Sequence, residues 1–131
     1  MRGNMTRLNG KIAVVTGGAN GLGQAFAKRL AEDGADIAVA DIQDTEETKK
    51  LVEAAGRRFH AIPCDVTNPQ AITGFADSVK DALGDPHILV NNVGIYPFTP
   101  FLEMEFEDWR RMMSINVDTL FLFSKEFVPG M

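Results

Sequence analysis

The sequence is poor in residues that cross-link a fold or hold a metal. Cys64 is the single cysteine, which excludes a disulfide framework and a Cys-x-x-Cys pair within these 131 residues. The two histidines, His60 and His87, lie far apart and lack the spacing of a His-Glu-x-x-His zinc motif. We therefore expect no metal site and, because unpaired cysteine is typical of a reducing compartment, a cytoplasmic location.

Long apolar runs and a basic surface are also missing. No apolar run approaches the roughly 18 residues that span a bilayer, and the polar N-terminus lacks the apolar core of a signal peptide. The chain carries 13 basic and 18 acidic residues, a formal charge of −5. Nucleic-acid and anionic-membrane surfaces need clustered Lys and Arg, so we expect neither kind of partner.

What the sequence does contain is an alternation of short β-branched runs with amphipathic stretches. Strands are predicted over residues 12–16, 37–40, 59–64 and 88–90, and helices over 22–33, 44–55, 69–83 and 106–128. Apolar strands separated by helices predict a parallel sheet covered on both faces. Right-handed crossovers favour the order 3-2-1-4, a Rossmann-type doubly wound α/β sheet. The domain would fill residues 1–131, with 1–7 as a disordered tail.

Local signals mark the helix boundaries. Gly34 is predicted to end the first helix as a left-handed C-cap. Asp44 and Glu47 have the spacing of a capping box for the second helix. Asn68-Pro69 supplies an N-cap followed by proline at the first helical position of the third.

The last predicted helix carries a mostly apolar stripe and one amide on the same face. The stripe consists of Phe106, Trp109, Met113, Val117, Leu120 and Ser124. Asn116 falls on it, where burying an unbonded amide costs about 1–3 kcal/mol. Asn116 therefore either bends the helix or holds a water, or is a core polar group whose hydrogen bonds are satisfied.

A glycine cluster lies between the first strand and the first helix. Its glycines allow a tight turn and close approach of the backbone to a pyrophosphate, which the N–H groups of the helix start would bind. Gln24 stands where a Walker loop needs lysine. Glycines recur in many strand-to-helix turns, but here both flanking elements are correct for a nucleotide site. The predicted binding residues are Gly17, Asn20, Gly21, Leu22 and Gly23.

Asp41 ends the second strand, 20 residues after Gly21. An acidic side chain there can accept hydrogen bonds from the ribose hydroxyls of a bound adenosine. By itself Asp41 would be interpreted as a turn or helix-capping aspartate. With the glycine cluster beside it, the ribose-binding role is favoured instead. A carboxylate also repels a ribose 2′-phosphate, and neither Asn20 nor Ile42 offers a compensating cation. The sequence thus predicts NAD as the cofactor, with Asp41 and Ile42 at the ribose.

Three motifs together resemble the short-chain dehydrogenase/reductase family. They are Thr-Gly-x-x-x-Gly-x-Gly at 16–23, Asp-Val at 65–66 and Asn-Asn-Val-Gly at 91–94, each following a predicted strand. The resemblance covers nearly the whole chain from Leu8 onward. Gly94 to Met131 is most similar to members that oxidise aromatic secondary alcohols. A flavodoxin-like sheet with FMN is disfavoured because Asp41 and Asp65 suit a dinucleotide.

The resemblance implies roles for the second and third motifs. Asp65 would accept a hydrogen bond from the adenine amino group, and Val66 would pack near the ring. Asn92, Val93 and Gly94 would line the floor under the adenosine and the nicotinamide ribose. Val93 stands where the family usually has alanine, and the larger side chain of valine would crowd this floor slightly.

The resemblance also implies a catalytic group and an NAD-dependent exchange of hydride with a secondary alcohol or ketone. Asn116 matches the family's catalytic asparagine. The general acid–base tyrosine, its lysine and the substrate-orienting serine have no match, since Pro100 stands four residues after Tyr96. Tyr96 is either a substrate contact or a surface aromatic residue of the loop.

Family members are about twice as long, which leaves three hypotheses for the chain. The chain is either a piece of an oxidoreductase that is inactive alone, or a non-catalytic dinucleotide-binding module, or a remnant that does not fold. The long helix resembles the one that pairs subunits in family homodimers and homotetramers. We expect the strand at 88–90 to be an unprotected sheet edge that leaves the chain marginally folded.

Overall fold

Four parallel strands form one sheet in the predicted order β3-β2-β1-β4. They are β1 (Ile12–Thr16), β2 (Asp36–Asp41), β3 (Phe59–Pro63) and β4 (Ile88–Val90). The computed structural model describes residues 7–131. Within the sheet, Val14 of β1 lies opposite Ala38 of β2 on one side and Leu89 of β4 on the other. The fully buried β1 is thus flanked on both sides, and the carboxyl ends of all four strands face the same way.

Helices cover both faces of the sheet, which confirms the predicted doubly wound architecture. On one face lie α1 (Gly21–Glu32) and α2 (Glu46–Ala54), whose small and β-branched residues pack on Val15 and Val39. On the other face lie α3 (Pro69–Ala82) and α5 (Thr119–Phe127). The rings of Phe75, Phe123 and Phe127 meet edge to face between these two helices and fill the core there.

Two of the three predicted helix-end signals operate as expected. Asn68 Oδ1 accepts from the N–H groups of Gln70 and Ala71 and caps α3, and Gly34 follows α1 with φ of 110°. The capping box at Asp44 and Glu47 is wrong. Asp44 Oδ1 accepts from Glu46 N, two residues on, and forms a turn before the helix begins. Asp44 therefore lies one residue too early to reach the third N–H group of the helix.

The predicted long helix is interrupted by a wider turn. It comprises α4 (Phe106–Met113), a π-helical segment (Ser114–Asp118) and α5. The predicted stripe does not form the buried face: Trp109 and Leu120 are 46% and 43% exposed. The buried positions are Ile115, Thr119, Phe123 and Phe127. They recur every four residues, and the last two, Phe123 and Phe127, pack on Phe75 of α3.

Two further predictions concern the chain start and the sheet edge. Residues 1–6 of the predicted tail lie outside the described residues, whereas Arg7 pairs with Asp33 at 3.4 Å. Within residues 7–131, β4 pairs with β1 alone, so its second edge has no neighbouring strand. No helix of the described chain has the length and apolar character required to cross a membrane.

Candidate functional site

The turn between β1 and α1 presents backbone N–H groups at the carboxyl end of the sheet. Gly17 and Gly21 have φ of 67° and 55°, a left-handed conformation that favours glycine. A Cβ at Gly23 would overlap the carbonyl oxygen of Gly17, so glycine is what lets α1 begin this close to β1. The N-cap Asn20 makes no side-chain capping bond, and the first turn of α1 has no acidic residue. This helix start is suited to an anion.

Asp41 lies at the end of β2 beside this glycine-rich loop. Its Oδ2 accepts from Ala19 N at 3.0 Å, and its Oδ1 accepts from Gln43 N at 3.0 Å. The side chains of Asn20 and Gln43 are joined by a 2.6 Å hydrogen bond from Nδ2 to Oε1. The carboxylate is thus held in one orientation by backbone donors from two loops.

A second carboxylate, Asp65, follows β3. Its Oδ1 accepts from both the N–H and the hydroxyl of Thr67, at 2.9 and 2.7 Å. The Thr67 hydroxyl and, next, its backbone N–H lower the pKa of Asp65 below 3.8, which outweighs a small opposing effect of burial. The side chain is therefore an anionic hydrogen-bond acceptor at neutral pH.

The end of β4 is tied to the end of β1 through Thr16. The buried hydroxyl of Thr16 accepts from the N–H groups of Asn92 and Val93, at 2.9 and 3.0 Å. In return, Asn92 Nδ2 donates to the carbonyl oxygens of Thr16 and Gly17, at 3.2 and 3.3 Å. Asn92 thereby braces the glycine-rich loop from below.

These strand ends enclose one open cavity of about 720 Å³. Sites for small ligands and cofactors have volumes of roughly 300–1,000 Å³. Eleven residues predicted from the sequence line it: Gly17, Asn20, Gly21, Leu22, Asp41, Ile42, Asp65, Val66, Asn92, Val93 and Gly94. Of the predicted cofactor residues Gly23 alone is not part of the lining, since it packs beneath the loop.

Five lining residues were not predicted: Gln43, Thr67, Ile95, Arg111 and Ile115. Gln43 and Thr67 each follow a predicted aspartate by two residues, and this short spacing could have indicated that they line the cavity as well. Arg111 and Ile115 have no such signal, because they reach the cavity only through the packing of the long helix. Arg111 is the one cationic side chain in the lining, as far as the described chain goes.

Asn116 lies in the π-helical segment and does not line the cavity. Its Oδ1 accepts from the N–H of Ile95, and its Nδ2 donates to the carbonyl oxygen of Ile95, both at 2.8 Å. The amide is therefore a satisfied polar group that joins the helix to the loop after β4. Tyr96, next in that loop, is 82% exposed, stacks edge to face on Phe98 and lies outside the cavity lining.

Comparison with known proteins extends over nearly the whole chain. The family model for short chain dehydrogenases matches residues 11–131. L-2,3-butanediol dehydrogenase from Corynebacterium glutamicum is 42% identical over 115 residues, which cover 85% of this chain and 45% of that enzyme. The chain spans about half the length of the curated relatives it matches.

Solved structures show the same fold. Carveol dehydrogenase from Mycobacterium avium in complex with NAD has a TM-score of 0.89 and 30% identity, over 95% of this chain and 50% of its own. A metagenomic short-chain oxidoreductase in complex with NADP has a TM-score of 0.86 and 31% identity, over 95% and 57%. By its sequence, strand order and match to the family model, the chain belongs to the short-chain dehydrogenase family.

Proposed function

We propose that the cavity at the carboxyl end of the sheet binds NAD. One observation carries the proposal: the Asp41 carboxylate contacts the glycine-rich loop, so an acceptor for ribose hydroxyls adjoins N–H donors for a diphosphate. Asp65 would accept from the adenine amino group, and Val66 would pack against the ring. The lack of space for a Cβ at Gly23 supports this fit, since it keeps the helix start close to the sheet.

The preference for NAD over NADP rests on charge. A 2′-phosphate at the ribose would meet the Asp41 carboxylate, and a phosphate dianion beside a carboxylate is strongly disfavoured. Arg111, the cation of the lining, forms no ion pair with Asp41 within residues 7–131. One solved relative is a complex with NAD and another a complex with NADP, so the proposed preference depends on Asp41 itself.

Titration of the chain with NADH and NADPH, followed by nicotinamide fluorescence, tests both statements. We expect NADH to bind at least about tenfold more tightly, a difference of about 1.4 kcal/mol. Asp41→Ala should remove most of this preference. Asp81→Ala, which deletes an exposed carboxylate on α3, is the charge-matched control and should keep it. If neither dinucleotide binds to folded chain, the proposal is wrong.

For the reaction, we propose hydride transfer between a secondary alcohol or ketone and the nicotinamide that NAD supplies when bound. These 131 residues contain no Tyr-x-x-x-Lys to move the alcohol proton. We therefore propose that they bind NAD without oxidising alcohols, and NADH formation at 340 nm by the purified chain would contradict this. Asn116 would act by holding the Ile95 loop, because both groups of its amide are already bonded there.

The alternative is a dinucleotide-binding module with no catalytic role. A chimera that joins residues 11–131 to the second half of the Corynebacterium butanediol dehydrogenase separates the two. Alcohol oxidation by the chimera would support the oxidoreductase. A chimera that folds and binds NADH but stays inactive would favour the binding module.

We also propose that the long helix pairs two copies of the protein, as the family resemblance implies. Phe106, Trp109 and Phe121 of this helix are 70%, 46% and 65% exposed, and aromatic side chains are enriched at protein interfaces. The proposed assembly is a homodimer or a homotetramer.

A further inference from the structure

Behind the glycine-rich loop, on the side of α2, lies a polar contact that the cofactor roles above do not use. Thr48 of α2 is fully buried, and its hydroxyl donates to the carbonyl oxygen of Gly18 at 2.7 Å. Gln24 of α1 donates through Nε2 to Thr48 Oγ1 at 3.1 Å and to the Ala19 carbonyl oxygen at 3.2 Å. The carbonyl oxygens of Gly18 and Ala19 therefore accept hydrogen bonds from side chains of α2 and α1.

The Gly18–Ala19 peptide is held from both sides. Its carbonyl oxygen and its N–H point in opposite directions, because a trans peptide is planar. Thr48 holds the carbonyl, while the N–H of Ala19 donates to Asp41 Oδ2 at 3.0 Å. Gly18 has no Cβ to restrict rotation of this peptide, so its orientation depends on the two hydrogen bonds.

We propose that Thr48 is a positioning residue for the Asp41 carboxylate and, through it, for the ribose of the dinucleotide. The inference rests on the proposed function and adds a residue that is not part of the cavity lining. Without the Thr48 hydroxyl, the Gly18 carbonyl would lose its donor and the peptide could turn. The N–H of Ala19 would then leave Asp41, and the carboxylate would lose one of its two backbone donors.

The test is a double-mutant cycle on the full chain, with NADH affinity measured by calorimetry. Thr48→Val, which keeps the shape and removes the hydroxyl, should weaken NADH binding about fivefold, and Thr48→Ser should restore it to within about twofold. In an Asp41→Ala background, Thr48→Val should change the affinity by less than about twofold, since the group it positions is gone. A residue with a merely structural role would give the same loss in both backgrounds.

Ser78→Ala is the matched control, because the Ser78 hydroxyl also donates to a backbone carbonyl, that of Phe75, at 2.7 Å on α3. Its NADH affinity should stay within about twofold of the natural chain. An equal loss in Ser78→Ala, equal losses in both Asp41 backgrounds, or no effect of Thr48→Val overturns the inference. Thr48→Ala is a second variant without the hydroxyl. If Thr48→Val and Thr48→Ala both fail to fold while Thr48→Ser folds, the hydroxyl serves folding and the inference is wrong. Natural chain that folds without binding NADH overturns the proposed function itself.

Discussion

Gly23 and Gly74 are both helical glycines without a positive φ, yet the space around them differs. A Cβ at Gly23 would overlap the Gly17 carbonyl, whereas nothing lies within 4 Å of one at Gly74. Gly23→Ala should cost about 2 kcal/mol or more of unfolding free energy, because backbone must shift. Gly74→Ala should stabilise α3 by roughly 0.5–1 kcal/mol, as alanine is the better helix former. Urea unfolding of both variants measures this, and equal effects would contradict the difference in space around the two glycines.

Asp36 at the start of β2 is the one carboxylate that is both buried and bonded to two arginines, within the described part of the chain. Its oxygens accept from Arg57 Nε, Arg58 N and Arg58 Nε at 2.9–3.1 Å. Burial raises the pKa of Asp36, but the hydrogen bonds of Arg58 and the charges of Arg57 and Arg58 outweigh it. The pKa therefore lies below its ordinary value of 3.8.

This depressed pKa gives stability that is present above pH 3.8 and is lost as the pH falls through the lower, folded-state value. Asp36→Asn should reduce the unfolding free energy by about 2 kcal/mol at pH 7, because it leaves both guanidinium groups without their charged partner. Near pH 3 the gap to the natural chain should narrow. Thermal unfolding at a series of pH values measures it, and a gap that stays constant would show that Asp36 does not titrate in this range.

Among the elements, α2 and α3 begin in different ways. The N-cap of α3, Asn68, accepts from two backbone N–H groups, whereas Thr45 at the N-cap of α2 makes no side-chain capping bond. Asn68→Ala should therefore cost about 1 kcal/mol, and Thr45→Ala only a few tenths. Chemical denaturation of the two variants compares them directly. A larger loss at Thr45 would mean that its hydroxyl does cap α2 in solution.

For the long helix, the sequence predicted the ends but not the interior. The helix bounds are within one residue of the predicted 106–128, whereas the π turn and the buried face were not predicted. The turn occurs where Asn116 bonds the backbone of Ile95, 21 residues away. A stripe drawn at one constant period cannot anticipate a contact of that range.

For the whole molecule, the exposed aromatic residues of the long helix predict association. Phe121 is 65% exposed, and Phe121→Lys would place a charge in the proposed interface. We expect the natural chain to sediment as a dimer or larger species and Phe121→Lys to shift it toward the monomer, because a lysine is costly to bury. Phe26→Lys, which adds the same charge on α1, should not. Natural chain that remains monomeric at about 100 µM, well above the dissociation constants of specific complexes, would contradict the pairing.

Most of the candidate site could be predicted because its residues follow strand ends, and parallel strands bring those ends together. Asp41 and Asp65 are separated in sequence by a whole helix–strand unit, α2 and β3, yet both line one cavity. Thr48, Arg111 and Ile115 lie within helical segments, where sequence neighbours carry no sign of the cavity or the loop that they approach.

The sequence by itself determined the strand order, the parallel sheet and the position of the glycine-rich loop. These follow from local periodicity and from the handedness of crossovers, which act on short stretches of chain. Tertiary structure alone decided which side of the Gly18–Ala19 peptide faces Asp41, and which face of the long helix is buried. The first depends on hydrogen bonds and the second on the packing of Phe123 and Phe127 against Phe75. All of these contacts join residues more than 20 positions apart, and no local pattern encodes them.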